Sequence, residues 1–315
     1  MNPLFTNEKH YITLDNYLKQ TYHKKIFKVA LNGNFSCPNR DGTLSTMGCI
    51  FCSKAGSGDF AGNKYLPIQE QFDQVLERTQ IKWPEGDYIA YFQANTNTYD
   101  TLENLKARYD QIVKDGVVYN DKIKILSIAT RPDCLTEEIV AYLAHLNQTL
   151  SVWVELGFQT MHESSIHFIN RGYDNSVFER AITLLRKYNL TVVVHIINGL
   201  PFETKQEMIE TIDYLNQFDI QGIKIHMLHI MKETPLASYY MEHPFHVLTL
   251  SEYVDIVITQ LRHLKLSVVV HRITGDAPKD LLIAPEWTLK KFVVMNEIDK
   301  MMRTEHFFQG DLCIK

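Results

Sequence analysis

The sequence lacks long apolar runs and any excess of basic charge. None of its apolar segments approaches the ~20 residues that a membrane-spanning helix needs. Neither the basic end nor the apolar stretch of a signal peptide is present in the first residues, Met1-Asn2-Pro3-Leu4-Phe5-Thr6-Asn7-Glu8. We therefore expect a cytoplasmic protein without a membrane partner. The formal charge of −5 at pH 7 gives no global argument for a nucleic-acid partner, because phosphate binding depends on clustered Lys and Arg.

One local cluster of positive charge lies near the start of the chain. Residues 1–28 contain five Lys against two carboxylates. The residues are Lys9, Lys19, Lys24, Lys25 and Lys28 against Glu8 and Asp15. A solvated surface accounts for such a run, and contact of Lys24 and Lys25 with RNA is the alternative.

Cysteine is scarce, and its placement is uneven. The chain has five, an odd number without an export signal, which argues against a disulfide framework and for thiolates. Three of them lie within sixteen residues, at the spacing Cys37-x11-Cys49-x2-Cys52. Cys134 and Cys313 are expected to be a small buried residue and a tail thiol. Six of the 14 glycines lie between residues 33 and 62, where a flexible backbone can point N–H groups at an anionic, sulfur-rich group.

Apolar, β-rich segments alternate with amphipathic segments along most of the chain. The predicted strands are Ile26–Leu31, Tyr88–Gln93, Ile123–Ala129, Val152–Gly157, Thr191–Ile197 and Gly222–His229. The predicted helices are Ile68–Gln80, Leu102–Lys114, Glu137–Leu146, Val177–Tyr188 and Lys205–Phe218. Six strand-helix units in a row predict an α/β fold with a parallel sheet, a partial (β/α)6 TIM-type barrel. A doubly wound sheet is the competing architecture, but the dinucleotide glycine fingerprint is missing after the first strand.

The carboxyl ends of the predicted strands carry polar residues, and ligands gather at these ends in either architecture. These residues are Gln93-Ala94-Asn95-Thr96-Asn97, Thr130-Arg131-Pro132-Asp133, Glu155-Leu156-Gly157-Phe158-Gln159, Asn198-Gly199-Leu200-Pro201, His226 and His229. A carboxylate is costly to bury alone, so we expect Glu155 either to bind a ligand or to pair with an arginine. His195 lies within an apolar strand and is expected to be a satisfied core residue. His226 and His229 belong either to the cavity or to the core.

The chain from residue 232 onward has a different pattern. It contains a predicted helix Leu250–Leu264, a strand Leu266–His271, a polar turn Arg272-Ile273-Thr274-Gly275-Asp276 and a helix Trp287–Arg303. No linker rich in Pro, Gly or Ser separates it from the rest. We predict a barrel domain over residues 1–231, with a cysteine loop over 33–62, and a C-terminal α/β extension over 232–315 packed on the barrel. Arg272 and Asp276 are candidate substrate contacts.

Three closely spaced cysteines without a fourth permit two kinds of metal site. Zinc prefers four closed ligands, and the histidines that could complete such a set are distant in sequence. An iron–sulfur cubane held by three thiolates leaves its fourth iron open to a small molecule. S-adenosylmethionine can occupy that position through its amino and carboxylate groups, and an electron from the cluster then yields a 5′-deoxyadenosyl radical.

Several motifs together resemble one family over almost the whole chain. Besides Cys37-x11-Cys49-Ile50-Phe51-Cys52 they are Tyr91-Phe92-Gln93-Ala94-Asn95-Thr96-Asn97-Thr98-Tyr99, Thr130-Arg131-Pro132-Asp133, Glu155-Leu156-Gly157-Phe158-Gln159-Thr160, Arg171-Gly172-Tyr173, Asn198-Gly199-Leu200-Pro201 and Ala284-Pro285-Glu286-Trp287. The combination resembles the radical S-adenosylmethionine (radical SAM) superfamily. The long first cysteine spacing is similar to its Elp3-like branch, and the whole set to the YtqA/YhcC group within that branch.

The resemblance implies roles for residues at the motif positions. It implies that Cys37, Cys49 and Cys52 hold a [4Fe–4S] cluster and that Phe51 lies beside the adenine of S-adenosylmethionine (SAM). The other implied SAM contacts are Gln93, Asn95, Glu155, Gln159, Arg171, Asn198 and Gly199. Arg171 suits a carboxylate because a guanidinium can form two charge-assisted hydrogen bonds. Candidate substrate contacts are Lys24, Lys25, Arg131, His226, His229, Arg272 and Asp276, and no catalytic acid or base is identified.

The resemblance also implies an activity. Members of the group called MnmL modify the wobble uridine of tRNA, where they convert a 5-carboxymethylaminomethyl substituent, with or without 2-thio, to 5-aminomethyl. We therefore expect a radical SAM enzyme that cleaves a C–N bond in tRNA and takes its electron from a donor such as flavodoxin or ferredoxin. A radical SAM enzyme that acts on a small metabolite and a zinc-stabilised binding protein without enzymatic activity are the alternatives.

Overall fold

The computed structural model describes residues 4–313. Residues 1–3 and 314–315 lie outside the described residues. The outer ends of the predicted ranges 1–231 and 232–315, and the expectation about a signal peptide, therefore rest on the sequence. Ten α-helices occur in the described part: α1 (Leu14–Tyr22), α2 (Ile68–Lys82), α3 (Leu102–Tyr109), α4 (Glu137–Leu146), α5 (Glu163–Phe168), α6 (Asn175–Lys187), α7 (Lys205–Leu215), α8 (Pro235–Glu242), α9 (Leu250–His263) and α10 (Lys291–Thr304). Eleven strands accompany them: β1 (Ile26–Leu31), β2 (Asp87–Phe92), β3 (Val113–Lys114), β4 (Val117–Val118), β5 (Ile123–Thr130), β6 (Ser151–Gln159), β7 (Thr191–Asn198), β8 (Gly222–Met227), β9 (Ile230–Met231), β10 (Val269–Arg272) and β11 (Leu282–Ala284).

Seven strands form one parallel sheet in the order β1-β2-β5-β6-β7-β8-β10. The sheet curls strongly. A hydrogen bond of 3.3 Å joins Lys224 Nζ of β8 to Tyr91 Oη of β2 and shows the curl. Three strands separate β2 from β8, so a flat sheet would hold them about 19 Å apart. The predicted partial parallel barrel is therefore confirmed.

Helices cover the outer face of this sheet and form the apolar core with it. α2 contacts β1, α4 contacts β6 and α6 contacts β7. α9 packs on α7 and α10 packs on α9, so the C-terminal segment continues the wall of helices. The inner face differs, because buried polar side chains such as Ser127, Glu155 and Lys224 lie there among apolar neighbours. The fold thus reserves the inside of the barrel for polar chemistry.

The seventh strand belongs to the predicted extension, and it makes the strand count differ from the predicted six. Val269 and Val270 of β10 lie opposite Gly222 and Ile223 of β8 in parallel register. The Val270 N–H also donates to the Ile12 carbonyl at 2.8 Å, so the start of the chain covers this edge. The sheet therefore crosses residue 231, and a division of the chain into two domains at that point stays a prediction.

Two predicted helices differ from those in the structure. The helix predicted over Leu102–Lys114 ends at Tyr109, because Asp115 and Gly116 adopt φ values of 49° and 76° and turn the chain into the β3–β4 hairpin. The helix predicted over Trp287–Arg303 opens with a 3₁₀ segment, and α10 begins only after it. Among the helices of residues 4–313, none has both the length and the apolar content needed to cross a membrane.

Candidate active site inside the barrel

A cavity of about 300 Å³ opens where the strands of the barrel end. Its walls are the cysteine loop, the ends of β2, β5, β6, β7 and β8, and the turn after β10. Fourteen of the predicted site residues line it: Cys37, Cys49, Phe51, Cys52, Gln93, Asn95, Arg131, Glu155, Gln159, Arg171, His226, His229, Arg272 and Asp276. The fold therefore brings together residues that the sequence places on seven separate segments, and their individual roles stay predictions.

Four predicted site residues lie elsewhere. Lys24 and Lys25 precede β1 and stand at the amino edge of the sheet, where they pair with Asp87 and Asp15. Asn198 exchanges two hydrogen bonds of 2.8 Å with Gln260 of α9, which turns its amide away from the cavity. Gly199 follows Asn198, and both residues line a second, smaller pocket. The substrate role predicted for the two lysines and the adenosine contacts predicted for residues 198 and 199 gain no support from this placement.

The three cysteines line the cavity from one tight loop. The Cys52 N–H donates to the Cys49 carbonyl at 3.0 Å, and Asn39 Nδ2 donates to Cys49 Sγ at 3.6 Å. A hydrogen bond from the Cys52 thiol is the main cause that lowers the pKa of Cys49 to about 7, against the effect of burial. Cys49 is therefore readily converted to the thiolate, the form that binds metals.

The cysteine loop is held against the end of β2. The Asn95 N–H donates to the Gly56 carbonyl at 2.8 Å, and Gln93 Nε2 donates to the Ser57 carbonyl at 2.8 Å. A Cβ at Gly56 would lie 1.8 Å from Asn95 Oδ1, so this approach requires glycine. Gln93 and Asn95, predicted as SAM contacts, thus also fasten the loop that carries the cysteines.

These residues fit a cubane that is held by three thiolates. Within residues 4–313 no three His, Cys, Asp or Glu side chains converge as the ligands of a single metal ion would. A cubane makes a different demand, since each thiolate binds its own iron and the three ligands stand farther apart. Cys37, Cys49 and Cys52 are the residues that would hold such a cluster. Phe51, next to them, packs against the apolar cluster that contains Ile50.

Two buried arginines stand beside the cysteine loop. Arg131 forms two hydrogen bonds with Asp133, at 2.9 and 2.7 Å. The Arg171 guanidinium donates to the carbonyls of Phe158, Thr160 and Tyr173 and to the Asn175 side chain. These four bonds leave one of its five N–H groups for a ligand, and the SAM contact implied for Arg171 stays a prediction. Its guanidinium ties the end of β6 to the segment before α6.

Glu155 is the centre of a buried ionic cluster in the middle of the barrel. Its oxygens accept hydrogen bonds from four side chains: Ser127 at 2.7 Å, Lys28 at 3.1 Å, His195 at 2.8 Å and Lys224. Burial raises the pKa of Glu155, but the charges of Lys224 and Lys28 outweigh it and hold the pKa well below its usual value. The sequence predicts either a ligand contact or an ion pair with an arginine for Glu155. The structure has an ion pair, formed with Lys28 and Lys224 and not with an arginine.

His195 completes this cluster and also lines the cavity. Burial, followed by the charge of Lys224, lowers the pKa of His195 to about 4. The neutral ring then donates from Nε2 to Glu155, so the histidine is satisfied as the sequence predicts, but it lies at the cavity wall and not in the apolar core.

Gln159 differs from Glu155, because part of its side chain has no partner. Its Oε1 is buried and accepts no hydrogen bond within residues 4–313. The residue adopts a φ of 68°, an uncommon value for a side chain of this size. An unpaired carboxamide oxygen at a cavity wall suits a ligand hydroxyl or amino group, so the predicted SAM contact of Gln159 fits the geometry.

The wall opposite the first strands is formed by β8 and the turn after β10. It carries His226, His229, Arg272 and Asp276. Arg272 Nη2 donates to Asp276 Oδ2 at 2.7 Å, and the two histidine Nε2 atoms are buried without a partner in the described chain. The sequence left open whether His226 and His229 lie at the cavity or in the core, and both line the cavity.

Some residues of the cavity escape the sequence analysis. Tyr91, Tyr173 and Lys224 are the clearest examples. The lysine has a recognisable signal, because a charged residue between Ile223 and Ile225 in a buried strand must meet a counter-charge inside the barrel. The two tyrosines belong to family motifs, but nothing in the residue type or its neighbours distinguishes them from core tyrosines.

Comparisons with known proteins identify the family. The sequence matches the Radical SAM superfamily over residues 43–215 and the Radical_SAM C-terminal domain over residues 220–304. It is 44% identical to YtqA of Bacillus subtilis over 98% of this chain and 94% of YtqA. It is 34% identical to YhcC of Escherichia coli K12 over 93% of this chain and 92% of YhcC. A tRNA uridine(34) acetyltransferase of Methanocaldococcus jannaschii is 26% identical over 50% of this chain and 29% of that protein.

A solved structure shares the fold. The N-terminally truncated Elp3 of Methanocaldococcus infernus superposes with a TM-score of 0.66 at 16% identity. The superposition covers 91% of this chain and 64% of that chain, so this protein spans less than two thirds of the Elp3 length.

The sequence match, the curled parallel sheet and the three cysteines at its mouth agree with one another. They confirm the predicted family and cofactors, and they set aside a zinc-stabilised binding protein. The chain belongs to the radical SAM superfamily, whose enzymes use a [4Fe–4S] cluster and S-adenosylmethionine.

Proposed function

We propose that this enzyme modifies the wobble uridine of tRNA and converts 5-carboxymethylaminomethyluridine, or its 2-thio form, to 5-aminomethyluridine. The motif set of the YtqA/YhcC group supports this reaction. The match to an acetyltransferase named for tRNA uridine 34 supports the same class of substrate.

The observation that carries the proposal is an open groove that continues the cavity. The groove has a volume of about 670 Å³ and shares Phe60 and Arg272 with the cavity. Phe60 and Phe292 line it and are 56% and 69% exposed, and Lys290 and Lys291 stand beside them. Exposed rings can stack on bases while lysines contact phosphates. Small-molecule sites bury most of their ligand, so this open extension favours an RNA that inserts one base.

The charge inside the cavity also favours an anionic ligand. Five cationic side chains line it against three carboxylates: Arg40, Arg131, Arg171, Lys224 and Arg272 against Asp59, Glu155 and Asp276. The whole chain carries a formal charge of −5, so this local excess is opposite in sign to the protein around it. Both SAM and the proposed substituent present a carboxylate, which such a cavity attracts.

The roles within the proposal follow from the positions of the residues. When bound, the cluster and SAM supply a radical that abstracts a hydrogen atom. Cys37, Cys49 and Cys52 would hold the cluster, and the unpaired Gln159 Oε1 would accept a hydrogen bond from SAM. In the substituent, the CH2 group between nitrogen and carboxylate has the weakest C–H bonds and is the site of abstraction. Loss of one further electron from this carbon, back to the oxidised cluster, turns its C–N bond into an imine, and water then cleaves the imine to leave the 5-aminomethyl group and release the two carbons as an aldehyde acid. A flavodoxin or ferredoxin supplies the electron.

Nucleoside mass spectrometry of tRNA from a deletion strain tests this proposal. We expect 5-carboxymethylaminomethyluridines to accumulate, and the purified anaerobic enzyme with SAM and reductant to convert them as 5′-deoxyadenosine forms. A gene encoding Cys313→Ala should restore the normal nucleosides, and one encoding Cys49→Ala should not. If these uridines do not accumulate and 5′-deoxyadenosine forms only with a small metabolite, the tRNA assignment fails while radical SAM activity stands.

A further inference from the structure

Two histidines on one wall of the cavity have hydrogen-bonding atoms without partners. His226 Nε2 and His229 Nε2 are buried and bond to no group within residues 4–313. His226 lies in β8, and His229 follows two residues after its end. An unpaired buried polar atom costs free energy, so two such atoms on residues that line one cavity point to a ligand that completes them.

A guanidinium stands beside these two rings. Arg272 ends β10, lines the same cavity and donates one N–H to Asp276 at 2.7 Å. Burial, followed by the charge of Arg272, lowers the pKa of both histidines, to about 4 for His229. Both rings are therefore neutral at pH 7 and can offer an uncharged N–H next to the positive charge.

The turn after β10 is shaped to hold this arrangement. The Gly275 N–H points to Met227 Sδ at 3.0 Å, which fastens the turn to β8. A Cβ at Gly275 would lie 2.7 Å from His229 Cε1, so a larger residue would displace the ring. The absence of a side chain at this position thus keeps His229 between the turn and the cavity.

One guanidinium and two neutral imidazoles match a carboxylate. A guanidinium can bind both carboxylate oxygens, and Asp276 offsets part of its charge, which disfavours a doubly charged phosphate. SAM and the proposed substrate both carry a carboxylate. Arg272 and Asp276 line both the cavity and the open groove proposed for the RNA. This shared position favours the substrate as the ligand of this wall.

We infer that Arg272, His226 and His229 bind the carboxylate of the substrate's carboxymethyl group and thereby select the substrate. The inference rests on the proposed function and adds to it the residues that determine specificity.

Two anticodon stem-loop RNAs test the inference. One carries 5-carboxymethylaminomethyluridine, and the other carries its carboxamide analogue, so that only the negative charge differs. The enzyme loaded with cluster and SAM should bind the acid roughly 10- to 100-fold more tightly, the range expected for hydrogen bonds to a charged group. Arg272→Met should remove most of this preference, and His226→Phe or His229→Phe should remove part of it.

Lys291→Met is the matched control. Lys291 Nζ lies 3.1 Å from Oδ1 of the same Asp276, but the residue lines the groove and not the cavity. This variant should weaken both RNAs equally and leave the preference for the acid unchanged.

Each other outcome has a definite meaning. If Arg272→Met keeps the wild-type preference, the inference is overturned while the tRNA proposal stands. If Arg272→Met lowers the affinity for SAM and leaves the RNA preference intact, the wall binds the SAM carboxylate and the inference is likewise overturned. If neither RNA binds but the free acid nucleoside binds wild type more tightly than its carboxamide, the tRNA proposal fails and carboxylate recognition by this wall is supported.

Discussion

The cavity contains two polar regions that differ in how completely their hydrogen bonds are made. Around Glu155, four side chains donate to the two carboxylate oxygens. On the wall of β8 and β10, Nε2 of His226 and Nε2 of His229 have no partner in the described chain. Both regions line the same space, yet the first is complete without a ligand and the second is not. Position at a cavity therefore does not by itself make a motif residue a ligand contact.

The reason for the difference is the cost of burying charge. A buried carboxylate without counter-charges is strongly unfavourable, so the chain must supply partners for Glu155 before any ligand arrives. Neutral imidazoles cost less when they are unpaired, and they can stay available for a ligand. Substitutions can therefore distinguish residues that stabilise the fold from residues whose unpaired atoms are available to a ligand.

The largest expected effect falls on a ligand-binding residue. Cys49→Ala should abolish 5′-deoxyadenosine formation and the visible absorption that thiolate-to-iron charge transfer produces. The unfolding free energy of the metal-free chain should change by no more than about 1 kcal/mol. Absorption spectroscopy of anaerobically reconstituted protein, with Cys313→Ala as the control that keeps its colour, checks this. A brown and active Cys49→Ala protein would contradict the assignment.

The region around Glu155, whose hydrogen bonds are all made, should instead affect the unfolding free energy. Glu155→Ala should lower the unfolding free energy by about 3–5 kcal/mol, because Lys224 and Lys28 lose their buried counter-charge. The exposed pair of Glu137 with Lys187 provides the control, since Glu137→Ala should cost less than about 1 kcal/mol. Denaturant unfolding of the metal-free proteins measures both. A stable Glu155→Ala protein that fails to bind SAM would restore the ligand role that the motif implies for Glu155.

Stability should also depend on pH through the buried histidines. The pKa of His229 is about 4 in the folded chain against 6.5 for a free histidine, so the unfolded chain binds more protons between these values. Stability should therefore fall as the pH falls from 6.5 toward 4. His229→Gln should reduce the slope by at most about 1.4 kcal/mol per pH unit. Unfolding measured at several pH values tests this, and an unchanged slope would mean that a charged His229 is tolerated.

The smallest expected effect compares two stacked histidines directly. The rings of His195 and His226 lie 5.7 Å apart, but only His195 bonds to Glu155. His226→Phe should change the unfolding free energy by less than about 1 kcal/mol, whereas His195→Phe should cost about 1–3 kcal/mol because Glu155 loses a donor. Parallel urea titrations test the contrast. Equal losses would show that His226 has an unrecognised structural partner.

Much of the fold follows from local sequence pattern. The six strands predicted before residue 231 end within two residues of the observed strands, because strands buried on both faces are continuous apolar runs. The hairpin after α3 was open to prediction from Asp115-Gly116, a pair that favours a tight turn, but the predicted helix was extended to Lys114, over the first strand of the hairpin. α1 is not predicted, although Thr13 caps it and Leu14, Tyr17, Leu18 and Tyr22 recur at helical spacing.

The candidate site was predictable to the level of position but not of partner. The motifs imply SAM contacts for Arg171 and Asn198, and Arg171 lines the cavity whereas Asn198 ends β7. The Arg171 guanidinium is occupied by backbone carbonyls and the Asn198 amide by Gln260. Neither pairing has a sequence signal, because a hydrogen-bond partner depends on which segments the fold brings within about 3 Å.

The sequence by itself determined the cysteine set and the order of parallel strands, because both depend on neighbours within a short stretch of chain. Only the tertiary structure decided which polar groups inside the barrel are already satisfied. Lys28 and Glu155 are 127 positions apart, and Tyr91 and Lys224 are 133 apart. Curling of the sheet brings these pairs together, and no local pattern encodes that distance.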